Sequence, residues 1–131
     1  MGAWGSGHFE NDDALDWLAE FEAEGLQAAG GAIADVLSLE GEYLEAPTAS
    51  RALAAAEVIA AASGNQAQGL PDPVLSWLSS HPLTRSTELL MNAATAVRRV
   101  LAESELRDLW FEGESGAEWE ASVNALLQRL R

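Results

Sequence analysis

His8, Asp12, Asp13 and Asp16 come closest, by type and spacing, to a constellation that could do chemistry. Asp12 and Asp16 are four apart and Asp13 and Asp16 three apart, so on a helix these carboxylates pair along one surface. Carboxylate oxygens with one imidazole suit a hard or borderline divalent cation, which makes His8, Asp12 and Asp16 a candidate metal set. Di-metal bundles repeat carboxylate and histidine motifs on several helices. Here the other histidine, His81, sits in a loop before Pro82. Helix capping and solvation explain the same aspartates without a ligand, so no cofactor is expected and a divalent cation is the alternative.

Glu57 is the carboxylate of an otherwise apolar, alanine-rich run. If buried it needs a partner, because an isolated buried carboxylate costs several kcal/mol. Arg98 and Arg99, in the middle of a long helical pattern, are the candidates, and such a pair would set helix register more readily than perform catalysis. Trp4, Trp17 and Trp110 are candidate walls of a small-ligand pocket between helices. Gly2, Gly5 and Gly7 resemble a phosphate loop only superficially, since Glu10, Asp12 and Asp13 follow them and would repel the anion.

Other chemistries are excluded outright. The chain has no cysteine, which removes disulfides, thiolate metal sites and cysteine nucleophiles. It has no lysine, which removes Schiff-base chemistry. Neither histidine lies in a nucleophile-and-base context. All seven cations are arginines, set against 21 acids for a net charge of -14, which opposes nucleic-acid and anionic-membrane binding. The charge is uneven: residues 1–45 carry eleven acids and no arginine, while residues 46–131 carry ten acids and all seven arginines. Asp12, Asp13, Asp16 and Glu20 therefore mark an acidic face, either a solvated surface or a docking surface for a basic protein.

The elements that must position these residues all show helical spacing. Ala14, Trp17, Leu18 and Phe21 repeat at the interval of one helical face, with Asn11 or Asp12 as cap and Gly25 as stop. Gly30-Gly31 predicts only a short second helix, from about Gly31 to Leu39. Pro47 to Gly64 reads as a methyl-lined central helix, and Pro71-Asp72-Pro73 opens a short one capped by Asp72 and closed at His81-Pro82. Leu90, Ala94, Val97 and Leu101 stripe the longest helix, from near Arg85 to Ala102. Ser104 caps a brief turn with Leu106, Leu109 and Trp110, and after Gly113 and Gly116 a final helix carries Trp119, Val123, Leu126, Leu127 and Leu130. The expected fold is all-α, a single domain over residues 1–131 with six or seven helices. Residues 1–10 form a glycine and aromatic leader, with Trp4 and Phe9 packed on that core.

The opening MGAWGSGHFENDDALDWL resembles the start of the bacterial family catalogued as domain of unknown function 4259. Gly2, Trp4, Gly5, Gly7, Phe9, Asn11, Asp12, Ala14 and Asp16 occupy its leader positions. The segments ALAAAEVIAAASG and SELRDLWFE, followed by Trp119, extend the resemblance over nearly the whole chain. His8 falls where the motif leaves the position open, and the resemblance implies no activity, cofactor or substrate.

The opening residues lack the basic start and apolar stretch of a secretory signal. Gly2 and Ser6 fit an acylation pattern, but acids follow where a second membrane signal would be basic. The expectation is therefore a cytoplasmic interaction protein, of an accessory or immunity kind, whose acidic face meets a basic partner protein. The alternatives are a metal-dependent protein using His8 and its neighbours, and a small-ligand domain built on the tryptophans.

Overall fold

The computed structural model describes residues 7–131, and among them the chain forms seven α-helices and no strand. They are α1 (Asp12–Glu24), α2 (Leu26–Ser38), α3 (Ala46–Ala62), α4 (Asp72–Ser80), α5 (Thr87–Ala102), α6 (Glu105–Glu112) and α7 (Gly116–Arg129). The all-α expectation is met. No helix among the described residues is long and apolar enough to cross a membrane.

The fold is organised around α3. Pro47 lies in its first turn, where a missing N–H costs nothing. Thirteen of its 17 residues are buried, so it has almost no solvent face, and it touches all six other helices. Its run of methyl side chains is what lets so many neighbours approach one axis. Its start is held by α6: the Ala46 N–H donates to Glu105 Oε1 at 2.7 Å, and the Glu105 N–H donates to the Leu44 carbonyl at 2.8 Å. A carboxylate at the positive end of a helix is electrostatically favourable as well.

In α1 the Ala14 N–H donates to the Asn11 side chain at 2.8 Å, and Ala14, Trp17, Leu18 and Phe21 are buried, as the spacing predicts. Gly25 ends it at φ 64°, its N–H donating to the Phe21 carbonyl at 2.7 Å. That backbone and the indole of Trp77 together demand glycine, since a Cβ there would stand 3.1 Å from Trp77 Nε1.

The second helix departs from expectation. It starts directly at Leu26 and runs through Gly30 and Gly31. Two interior glycines cost about 2 kcal/mol of helix propensity. Burial of Ile33 and Val36, fully packed in the core with Ala28, Ala29 and Ala32, returns about 3 kcal/mol or more. Tertiary packing thus overrides local preference. Three smaller differences stand beside this: Pro71 and not Asp72 caps α4, α5 starts at Thr87 after its cap Ser86, and α3 therefore exceeds α5 in length, 17 residues against 16. One contiguous core draws residues from all seven helices.

Candidate functional site

The approach to α1 is a turn closed in both directions. The Glu10 N–H donates to the Gly7 carbonyl at 3.0 Å, and the Gly7 N–H donates to Glu10 Oε1 at 3.2 Å. This turn sends His8 inward and lays Phe9 half-buried on the core. Packing of the leader on the core therefore holds for Phe9. Trp4, with Gly2, Gly5 and Ser6, lies outside the described residues.

His8 is not placed to bind a metal with Asp12 and Asp16. His8 is 6% exposed and its Nε2–H donates to the Ser122 carbonyl of α7 at 3.3 Å, while Asp12 and Asp16 are exposed on α1. Among the described residues no three histidine, aspartate or glutamate side chains gather closely enough to hold a metal ion. Burial holds the His8 pKa below the ordinary histidine value; the nearby Glu57 carboxylate and the Ser122 carbonyl oppose that, and the Arg129 charge adds to it.

Glu57 is buried, and its partner is neither Arg98 nor Arg99. Arg129 of α7 reaches both carboxylate oxygens through Nη2, at 2.6 and 2.7 Å. Asn65, just beyond α3, donates to the Arg129 main-chain oxygen at 3.0 Å and holds that end of α7 in register. Arg98 is exposed on α5. Arg99 serves main-chain carbonyls, donating to Val36 at 2.7 Å, to Leu39, and to Glu42 at 2.6 Å, so it caps the carbonyl end of α2 and the following turn. The ion-pair expectation thus holds for Glu57 and fails for both arginines, because α7, not the middle of α5, runs beside that face of α3.

Among the described residues Trp17 and Trp110 are not brought together in a pocket. They sit on α1 and α6, helices that make no contact with each other. Trp17 instead forms part of the wall of a groove between α1 and α2, about 430 Å³ in volume. Glu20 and Glu24 of α1, Gln27 and Asp35 of α2, and Arg51 of α3 surround it. The three acids are exposed, Trp17 is 2% exposed, and among the described residues its buried indole N–H finds no acceptor. Of the expected acidic face, Glu20 belongs to this groove; Asp12 and Asp16 continue the same helix surface outward, and Asp13 is half-buried in the first turn.

A family model described as Domain of unknown function (DUF4259) matches residues 2–122. The chain belongs to that family. No curated protein and no solved structure matches it. The DUF4259 match includes the whole α1–α2 groove, His8 and Glu57, and ends before Arg129. Glu24, Gln27, Asp35 and Arg51 are the groove residues that sequence reasoning missed. The four-residue spacing of Glu20 and Glu24 was a visible signal, but Asp35 joins them only once α2 is read as continuous through Gly30-Gly31.

Proposed function

We propose that this DUF4259 chain is a cytoplasmic protein-interaction module whose α1–α2 groove receives a cationic side chain of a basic partner protein. The observation that supports it is the groove itself: Glu20, Glu24 and Asp35, three carboxylates against the one guanidinium of Arg51, surround a concave space partly walled by Trp17. Carboxylates spaced around a depression favour a guanidinium or ammonium. Asp12 and Asp16 extend the negative potential along α1 and would speed encounter with a positive surface. The same electrostatics are compatible with an accessory or immunity role against a basic protein.

The test uses an arginine-rich peptide as probe, followed by NMR at the Trp17 indole N–H. Glu20→Gln, Glu24→Gln and Asp35→Asn together should weaken binding at least tenfold. A control carrying Glu103→Gln, Glu112→Gln and Glu114→Gln has the same net charge and should retain most of the affinity. Equal loss in both triple variants would reduce the interaction to bulk charge and overturn the assignment of the groove.

A further inference from the structure

A second concave surface lies at the opposite end of the charge distribution. Between α5 and the end of α7 a half-open cavity of about 340 Å³ is floored by Leu90 and Leu127 and edged by Met91, Arg85, Arg98 and Arg131. No aspartate or glutamate lines it, although the chain carries 21 acids against seven cations. Three of the seven arginines therefore converge on one apolar hollow. One of them already meets an anionic oxygen, since Arg85 Nη2 donates at 3.3 Å to Arg131, whose main-chain oxygen is that of a carboxylate in the last residue of the sequence, while Arg98 stands exposed on α5. Met91 is 64% exposed, an unbranched thioether left at the mouth where a hydrocarbon would cover it.

We propose that this cavity binds a small organic anion, a carboxylate head carried on a short apolar body. The head would lie among Arg85, Arg98 and Arg131, which offer guanidinium donors in the fork geometry that carboxylates accept. The body would lie on Leu90, Met91 and Leu127. The volume suits a medium-chain acid and falls at the lower end of small-molecule sites. The overall charge of -14 disfavours a polyanion at the same place, since each further charge it brings is repelled by the rest of the molecule. This site is separate from the α1–α2 groove and stands whether or not that groove binds a partner.

Octanoate is the probe, with octanol, acetate and inorganic phosphate as comparisons, measured by calorimetry and by the ε-methyl resonance of Met91. Octanoate should bind saturably and move the Met91 signal, leaving the other methionine, Met1, in place. Octanol should bind at least tenfold more weakly, and acetate and phosphate should leave Met91 unmoved. The double variant Arg85→Gln with Arg98→Gln should weaken octanoate about tenfold or more at an unchanged melting temperature. Met91→Glu, which places a carboxylate at the mouth of the cavity, should abolish binding. Absence of a saturable Met91 shift, equal affinity for octanol, or unchanged octanoate binding in the double arginine variant would each overturn the proposal.

Discussion

Replacing Arg129 by alanine leaves the Glu57 carboxylate in the core with no cation beside it, and the cost can be worked from the surroundings. Glu57 is about 7% exposed at its side chain and Arg129 about 25%, so the acid is desolvated and the guanidinium only partly so. Breaking a fully buried pair costs about 3 to 5 kcal/mol, whereas an exposed pair contributes about 1 kcal/mol at most. A quarter-exposed arginine over a buried acid places Arg129→Ala near the lower end of the first range, about 3 kcal/mol. Glu57→Ala should cost less, because the arginine left behind can turn to water. A double-mutant cycle of the two should return a coupling of more than about 1 kcal/mol. Replacing both residues by leucine should be milder than Arg129→Ala alone, since no charge is then stranded. Arg98→Ala, on the exposed face of α5, should stay within about 0.5 kcal/mol. Urea unfolding at neutral pH, followed by tryptophan fluorescence and circular dichroism together, measures all five. An Arg129→Ala loss no larger than that of Arg98→Ala, with coupling near zero, would refute the argument that this pair is desolvated and holds α7 to α3.

Three further outcomes follow from particular contacts. His8 is held neutral by burial, so below the ordinary histidine pKa of about 6.5 the unfolded chain takes up a proton that the folded one resists. Stability should therefore fall as pH drops from about 6.5 through the lower folded value, and His8→Gln should flatten that part of the curve in pH-dependent urea melts. Arg99→Ala removes the donors to Val36, Leu39 and Glu42 and should cost about 2 kcal/mol in the same assay, with faster amide exchange at the end of α2. Gly25→Ala combines a left-handed φ of 64° with a Cβ 3.1 Å from Trp77 Nε1, and should cost about 1 to 2 kcal/mol while shifting the Trp77 indole resonance.

Where a residue's environment is set by its own helix, the sequence carried the answer. The α1 stripe of Ala14, Trp17, Leu18 and Phe21, the Asn11 cap and the Gly25 stop are local features, and each was legible. The methyl-lined character of the Ala46–Ala62 helix likewise announced a central position. What was illegible depends on which helices become neighbours. Arg99 and Arg129 both lie three residues past a buried position, Ala96 and Leu126, on the flank of their helix's apolar stripe. Periodicity alone gives them the same standing. Only the placement of α7 against α3 sends one to Glu57 and leaves the other to cap α2. The Gly30-Gly31 pair failed for a related reason, since its local penalty is visible in sequence and the burial of Ile33 and Val36 that offsets it is not.

The same contacts explain why a chain of charge -14 can present two surfaces of opposite sign. Arg99 and Arg107 are used up on main-chain carbonyls, Arg107 donating to Leu101 at 2.7 Å and lying over the Phe111 ring. Arg129 is neutralised by Glu57. Of the remaining four, Arg51 sits among the acids of the α1–α2 groove, and Arg85, Arg98 and Arg131 meet at the α5–α7 cavity. Beyond about one Debye length, roughly 8 Å at physiological salt, an approaching group feels chiefly the net negative field. Within that distance the three arginines dominate the cavity mouth. A small anion with one charge meets a modest long-range barrier before it reaches donors matched to its head, whereas a nucleic acid would carry many charges into the whole field. A cationic side chain arriving at the acidic groove meets net attraction, because Glu20, Glu24 and Asp35 there outnumber the one guanidinium of Arg51. The placement of seven arginines, more than the number of acids, therefore decides which ligands each face of this helical bundle can admit.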